Sequence, residues 1–157
     1  MKAAFIINGK KEEFEIAPGD VLLDVLRNNG HNEVKGNCYM GTCGACTVLI
    51  DGVPKASCTT LAAQVAEAEI TTITGIGSVL NPHPLQLAFV EKGAVQCGYC
   101  TPGAILTAYA LLRKNPDPSE DDIKSALDGN LCRCTGYIQQ IEAVKLAVKL
   151  LKEGGNR

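Results

Sequence analysis

The sequence predicts an α+β protein in which a β-rich N-terminal half is followed by a helical C-terminal half. Two turn signals, Asn8-Gly9 and Asp51-Gly52, each separate a pair of short apolar segments in the first half. In the second half, apolar residues recur at the spacing of helices that bury one face. Between the halves, residues 75–84 contain two glycines and two prolines. We therefore expect two domains, over residues 1–76 and 77–157.

The first half contains two predicted hairpins and one helix. Asn8-Gly9 and Asp51-Gly52 have the residue types of type I′ turns. Asp20 is suited to cap the helix, and Gly30 is suited to end it. The strands are predicted over residues 3–7, 12–16, 47–50 and 54–57, and the helix over residues 21–29. Two strands, a helix, a loop and a second hairpin are the order of elements in a β-grasp, ferredoxin-like domain.

The second half contains four predicted helices, which suffice for a small four-helix bundle. Thr101 is suited to cap the second helix, with Pro102 at its first position. Ser119 is suited to cap the third, which Gly129 closes, and the fourth is expected to begin near Thr135. The apolar face of that last helix is predicted to comprise Ile138, Ile141, Val144, Val148 and Leu151.

The composition excludes several classes of function. The 157 residues carry a net charge of −2, and the lysines and arginines are scattered, whereas a nucleic-acid-binding surface needs a basic stripe. No stretch approaches the ~20 apolar residues of a membrane span, and the apolar run near the start is too short for a secretory signal. We therefore expect a cytoplasmic protein, in whose reducing compartment clustered cysteines favour metal over disulfides.

The eight cysteines fall into two quartets, and the first has the spacing of a 2Fe-2S site. Its first three members form a C-x4-C-x2-C run with the fourth downstream, as in plant-type ferredoxins. A loop wrapped around an inorganic core needs small residues so that backbone N–H groups can point at the sulfur atoms. Gly36, Gly41, Gly44 and Ala45 supply those small residues. The quartet itself consists of Cys38, Cys43, Cys46 and Cys58.

The second quartet consists of Cys97, Cys100, Cys132 and Cys134. Cys97 and Cys100 directly precede a predicted helix, whose N-terminal dipole favours thiolates and an anionic cluster. Cys132 and Cys134 precede the last helix in the same way. Two helix N-termini that face each other predict a second cluster site, buried inside the bundle.

Disulfides and zinc fit the cysteine pattern less well than clusters do. Four disulfides are arithmetically possible, and a zinc ion could use the second quartet, although a C-x-C pair is unusual in zinc sites. His31 and His83 are expected at the surface and not as ligands. No serine or cysteine nucleophile is paired with a base, and no carboxylates form an acid–base pair. The chain is therefore expected to carry no substrate-binding active site of its own.

Three phrases in the sequence carry a family resemblance. They read G-T-C-G-A-C-T-V, V-Q-C-G-Y-C-T-P-G and G-N-L-C-R-C-T-G-Y, and they span both quartets. With them, the chain resembles the small iron–sulfur subunit of the xanthine dehydrogenase/aldehyde oxidoreductase family of molybdenum hydroxylases. The resemblance runs from the N-terminal hairpin to Ala147. It implies a β-grasp domain with one cluster and a helical domain with the other.

The resemblance also implies partners for the chain. It implies a large subunit that binds molybdopterin and hydroxylates the substrate, and a medium subunit that binds FAD, in a dimerised hetero-oligomer. Electrons would pass through the helical-domain cluster, then the β-grasp cluster, to FAD. Gln96 and Cys134 would approach the pterin, whereas Gly41 and Thr42 would face the flavin. Family frequency favours an N-heterocycle, such as a purine or nicotinate, as the substrate.

The first cluster loop departs from the family pattern at Tyr39-Met40, where an acidic residue is common. The loss of negative charge would raise the reduction potential of the cluster, or the aromatic ring would contact a partner. Two further functions stay open from sequence. One is a free, soluble two-cluster ferredoxin that serves passing partners. The other is a structural or regulatory protein in which clusters or zinc only hold the fold.

Overall fold

The N-terminal half forms one five-stranded mixed sheet. The computed structural model describes residues 1–154, so the last three residues of the predicted second domain lie outside the described residues. The strands are β1 (Lys2–Ile7), β2 (Lys10–Glu15), β3 (Thr47–Ile50), β4 (Val53–Ala56) and β5 (Glu69–Thr71). Their order in the sheet is β2-β1-β5-β3-β4. β5 pairs parallel with β1 and antiparallel with β3, so it joins the two hairpins.

Both predicted hairpins form, as β1–β2 and β3–β4. Asn8 and Gly9 have φ angles of 50° and 79°, and Asp51 and Gly52 have φ angles of 49° and 77°. Positive φ at both central residues is the signature of the predicted type I′ turn. The central strand β5 was not predicted, because its three residues are too few to show an alternating pattern and only Ile70 among them is fully buried.

The helix α1 (Leu22–Asn28) packs its predicted apolar face into the core of the sheet, where Leu22 and Leu26 are fully buried. Gly30, with φ of 97°, follows the end of the helix as expected. The prediction that Asp20 caps the helix was wrong. The Asp20 carboxylate instead accepts a hydrogen bond of 2.7 Å from the backbone N–H of Ala17, which closes the preceding turn.

The C-terminal half is helical, as predicted. Its helices are α2 (Ile73–Ile76), α3 (Pro84–Glu91), α4 (Thr101–Lys114), α5 (Glu120–Leu127) and α6 (Ile138–Gly154). The last four are the predicted ones, and Ser119 caps α5 in a capping box with Asp122. The short α2 was not predicted. Its Ile73 and Ile76 pack against the helical core, and the helix overlaps the first two residues of the stretch predicted to connect the halves.

The buried face of α6 differs from the prediction at both of its ends. The helix begins at Ile138 rather than near Thr135. Ile138 is 68% exposed and Leu151 is 38% exposed, whereas Gln140 is fully buried. The seventeen-residue α6 packs mainly on the eight-residue α3, and we attribute the exposure of both ends to this difference in length.

The two halves have separate apolar cores and meet where α4 packs on β3 and β4. The helical core centres on α3, α4 and α6, which bury Phe89, Ile105 and Val144. His83 lies at the start of α3, where its Nδ1 accepts a hydrogen bond of 3.1 Å from the backbone N–H of Leu85. Within residues 1–154, no helix is both long enough and apolar enough to cross a membrane.

Candidate metal centres

The first cysteine quartet lies in the interior of the N-terminal domain. Cys43, Cys46 and Cys58 are each less than 7% exposed, and Cys38 is half-buried. Cys58 lies in a 3-10 helix, Ser57–Thr59, which directly follows β4. The Ser57 hydroxyl donates a hydrogen bond of 2.7 Å to the carbonyl of Cys46, which holds the Cys58 segment against the loop.

Hydrogen-bond donors of the loop point at the sulfur atoms. The backbone N–H of Met40, followed by the Thr42 hydroxyl, lowers the pKa of the Cys38 thiol to about 5. The backbone N–H of Gly41 bonds the Cys58 sulfur, although burial and the neighbouring Cys46 raise the pKa of Cys58 to about 11. Gly41 has φ of +76°, a conformation that glycine adopts without strain. The loop thus places small residues and N–H groups around its sulfur atoms.

The second quartet gathers around one cavity of about 380 Å³. This cavity is lined by Asn37, Cys43, Ala45, Cys97, Tyr99, Cys100, Leu131, Cys132, Arg133, Cys134 and Tyr137. The expectation of a site buried inside the bundle was wrong, because Cys97 and Cys134 are exposed. The loops that carry the quartet lie at the ends of helices and face the N-terminal domain, which supplies Cys43 to the same cavity.

The relation of this quartet to helix N-termini is only partly as predicted. Cys100 is the N-cap residue of α4, so it lies at the positive end of the helix dipole. Thr101 does not cap that helix. It is the first helical residue, Pro102 is the second, and the buried Thr101 hydroxyl has no hydrogen-bond partner within the described residues. Three residues separate Cys134 from the start of α6 at Ile138.

The eight thiols are free and associate in pairs. Cys38 bonds with Cys43, and Cys58 bonds with Cys46. In the second quartet, Cys100 bonds with Cys132, and Cys134 bonds with Cys97. Two thiols for each of two irons is the donor set of a 2Fe-2S core. Within residues 1–154, no group of three or more His, Cys, Asp or Glu side chains is placed to hold a single metal ion.

Protonation of the second quartet differs between its members. Burial, and next the thiol of Cys132, raises the pKa of the Cys100 thiol to about 11. Partial burial opposes the charged form of Cys132, but hydrogen bonds from the Thr135 hydroxyl and from backbone N–H groups lower its pKa overall. The Cys134 thiol donates a hydrogen bond to Cys97, and this bond raises the pKa of Cys134. A positively charged iron core would remove these protons, since thiolates are the metal ligands.

The two quartets are connected through a tight joint between the domains. The backbone N–H of Leu131 donates a hydrogen bond of 2.9 Å to the carbonyl of Cys43. The buried Asn130 amide donates a bond of 3.2 Å to the carbonyl of Gly44. Tyr99, between two cysteines of the second quartet, donates its hydroxyl hydrogen to the carbonyl of Gly36. Each contact joins the first loop to a segment that carries the second quartet.

Several residues at this joint were not singled out from the sequence. A Cβ on Gly103 would lie 2.2 Å from the carbonyl oxygen of Gly44, so α4 approaches the first loop as closely as a glycine allows. Asn130 and Gln140 are 3% and 0% exposed, which is unusual for amides. The phrase G-N-L-C contained a signal for Asn130 as a neighbour of Cys132, but nothing in the pattern marked Gln140 or Gly103.

The residues predicted to face partners lie at the surface. Gly41 and Thr42 are exposed at the outside of the first loop. Gln96 is exposed next to Cys97, and Cys134, which lines the same cavity as Cys97, is also exposed. Tyr39 is 52% exposed, with φ of +54°, and its hydroxyl lies 3.4 Å from a carboxylate oxygen of Asp24.

These features define a protein that binds two iron–sulfur clusters. Two family models match the chain in succession: a 2Fe-2S iron-sulfur cluster binding domain over residues 5–71, and a [2Fe-2S] binding domain over residues 72–145. The chain belongs to the small iron–sulfur subunits of the xanthine dehydrogenase/aldehyde oxidoreductase family. The fold class expected from the sequence is thereby confirmed, and so is an electron-transfer role within a multi-subunit oxidoreductase.

Individual relatives cover nearly the whole chain. It is 51% identical to the nicotinate dehydrogenase small FeS subunit of Eubacterium barkeri and 45% identical to a nicotinate dehydrogenase chain of Pseudomonas putida, in each case over 91% of this chain and 92% of the relative. Quinoline 2-oxidoreductase from Pseudomonas putida 86 superposes with a TM-score of 0.92 at 40% identity, over 98% of this chain and 97% of that chain. Aldehyde oxidoreductase from Desulfovibrio desulfuricans superposes with a TM-score of 0.93 at 42% identity, where the match covers 97% of this chain and 17% of the larger one.

Proposed function

We propose that this chain is the electron-transfer subunit of a hetero-oligomeric molybdenum hydroxylase and that its eight cysteines ligate two 2Fe-2S clusters. The observation that carries the proposal is the joint between the quartets. The carbonyl of Cys43 accepts the N–H of Leu131, which directly precedes Cys132. One hydrogen bond and short stretches of backbone therefore connect a cysteine of one quartet to a cysteine of the other.

The proposed ligands follow from the pairing of the thiols. Cys38 and Cys43 would bind one iron of the first cluster, and Cys46 and Cys58 the other. Cys100 and Cys132 would bind one iron of the second cluster, and Cys97 and Cys134 the other. When bound, the clusters supply two one-electron sites, which suit a protein that connects a two-electron oxidation to a flavin. The chain's residues position these sites, donate hydrogen bonds to them and exclude water from the first.

We assign the two ends of the path from exposure. Gln96, which adjoins Cys97, and Cys134 are both exposed, so a molybdopterin-binding large subunit would dock on that side of the second site. Gly41 and Thr42 are exposed at the first loop, and an FAD-binding medium subunit would dock on that side. The Thr42 hydroxyl bonds the sulfur of Cys38. A partner that covers Thr42 would therefore shield a hydrogen bond to the cluster.

The names of the relatives support a substrate class. Two relatives at 51% and 45% identity are named for nicotinate, another at 43% is named nicotine 6-hydroxylase small subunit, and the superposed enzyme at 40% is named for quinoline. All three molecules are N-heterocycles, so we propose that the complex oxidises an N-heterocycle. We further propose that the complex is dimerised and that it is cytoplasmic, because clustered cysteines that bind metal instead of forming disulfides are typical of a reducing compartment.

Metal and flavin analysis of the native complex tests this proposal. The tagged chain would be purified from its host together with whatever binds it. We expect about four iron atoms per chain, with molybdenum and FAD on larger partners. The double variant Cys97→Ser/Cys134→Ser should retain about two iron atoms, because the first quartet is intact. Iron without molybdenum or partners would favour a free two-cluster ferredoxin, and zinc in place of iron would overturn the proposal.

A further inference from the structure

Gln140 is a fully buried amide that faces the second cysteine quartet. It lies in the first turn of α6, and its side chain is 0% exposed. Its amide nitrogen, Nε2, lies 3.6 Å from the sulfur of Cys100, within reach of an N–H···S hydrogen bond. Cys100 is forty residues earlier in the chain, so only the tertiary fold brings Gln140 and Cys100 into contact.

Only the NH2 group of this amide has a hydrogen-bond partner within the described residues. The Gln140 carbonyl oxygen, Oε1, is buried and has no hydrogen-bond partner within the described residues. An unpaired buried carbonyl destabilises a fold, and an apolar side chain of the same length would fill the space without that cost. Fold stability therefore gives no reason for an amide at position 140. The contact of its N–H with a cysteine sulfur gives a reason for the amide.

An N–H donor acts unequally on the two oxidation states of a cluster. Reduction by one electron makes the cluster and its thiolate sulfurs more negative, so a hydrogen bond to sulfur stabilises the reduced state more than the oxidised state. The reduction potential of a cluster consequently rises with the number of such donors. Gln140 is such a donor for the second quartet. Its side-chain N–H reaches the Cys100 sulfur from a helix that is distant in sequence from Cys100.

We propose that Gln140 raises the reduction potential of the second cluster through its hydrogen bond to the Cys100 sulfur. The inference rests on the proposed function, since it requires Cys100 to be a cluster ligand. Gln140 is a positioning residue: it touches a ligand and not the substrate. By raising the potential of the cluster nearer the substrate-oxidising partner, it favours the arrival of electrons at that cluster.

Redox titration of the purified complex, followed by the electron paramagnetic resonance of its reduced clusters, tests this role. Gln140→Met keeps the length of the side chain and removes the donor, and Gln140→Leu is a second, smaller variant. In both, the ratio of reduced to oxidised second cluster at a fixed potential should fall by roughly three- to tenfold, the size expected when a hydrogen bond to a more negative sulfur is lost. The first cluster, in the same molecule, should titrate as in the wild type.

Gln139→Leu is the matched control. Gln139 lies on the same turn of α6 and also has a buried, unpartnered carbonyl, but it makes no hydrogen bond to a cysteine within the described residues. The Gln139→Leu substitution should leave the reduction potentials of both clusters unchanged. Unchanged potentials in a fully loaded Gln140→Met complex would overturn the inference. So would the loss of two irons from both Gln140 variants, because Gln140 would then hold the cluster and not tune it. A wild type without iron would instead overturn the proposed function itself.

Discussion

The two cysteine quartets of this chain are built in opposite ways. Three members of the first belong to one short loop, and Cys46 and Cys58 are part of the apolar core beneath the sheet. The second joins two segments more than thirty residues apart, at a cavity that stays open to the surface and that also uses Cys43 of the other domain. The first site is therefore made by local sequence, whereas the second exists only when two helices and two domains have docked.

This difference separates the tasks of the two sites. A buried site protects its cluster from water and keeps its geometry, but its electrons need a path to the surface. An exposed site can approach a cofactor on another subunit, but it depends on partners to exclude solvent. The joint at Asn130 and Leu131 connects the two, and it lies where the C-terminal domain approaches the first loop most closely.

The largest expected effect contrasts one cysteine from each quartet. Cys58→Ser and Cys97→Ser should each lower the iron content by about two atoms per chain. In the metal-free chain, Cys58→Ser should also lower the free energy of unfolding by about 1–3 kcal/mol, because it buries a hydroxyl in an apolar core. Because Cys97 lies at the surface, Cys97→Ser should change the free energy of unfolding by less than about 0.5 kcal/mol. Iron analysis and denaturant unfolding test this, and equal destabilisation would break the contrast.

The next effect concerns the close approach of the domains. Gly103→Ala would place a Cβ 2.2 Å from the carbonyl oxygen of Gly44. Alanine in a helix is normally worth about 1 kcal/mol over glycine, but here overpacking should destabilise the chain by about 1–3 kcal/mol and should empty the second site first. Gly129→Ala is the control, since no atom lies within 4 Å of its added Cβ. Thermal unfolding and iron content test the pair, and a stabilised Gly103→Ala would contradict the proposed joint.

A smaller effect is expected at the polar part of the joint. Asn130→Ala removes the hydrogen bond to the carbonyl of Gly44, but that carbonyl keeps the Thr47 hydroxyl at 2.7 Å. We expect a loss of about 1 kcal/mol. Thr47→Val should cost a similar amount, and the double variant more than the sum, because the buried carbonyl then loses both side-chain donors. A double-mutant cycle in urea measures this coupling, and strict additivity would show that the two donors act independently.

The smallest effect is expected at an exposed cluster of charges on α5 and α6. Hydrogen bonds from Lys124 and then Lys145 hold the pKa of Glu120 at about 2, below its ordinary value of 4.5. A depressed carboxyl pKa contributes stability that is present above pH 4.5 and lost as the pH falls toward 2. Since these groups are exposed, salt should weaken the effect. Lys145→Met should flatten the pH dependence of unfolding in this window without changing iron content, and an unaltered profile would exclude the pairing of α5 with α6.

Local features of this protein could be predicted from the sequence. The type I′ turns at Asn8-Gly9 and Asp51-Gly52 and the cap at Ser119 depend on neighbouring residues, and they were predicted correctly. The first quartet was also recognisable, because a short loop that carries three thiolates has few geometries open to it. The two cysteine phrases of the second quartet identified a second cluster domain. They contained no information on how deeply its cysteines are buried.

The features that were missed all depend on residues distant in sequence. The short strand β5 is a strand only because β1 and β3 flank it, and the ends of α6 are exposed because α3 is shorter. Asn130, Gly103 and Gln140 each act on a residue dozens of positions away. By itself, the sequence determined the turns, most helix limits and the two sets of cysteines, because these depend on backbone conformation and local spacing. Only the tertiary structure decided that the first set is largely buried whereas Cys97 and Cys134 of the second are exposed, and which amides reach their sulfur atoms and carbonyls, because packing between elements sets those distances.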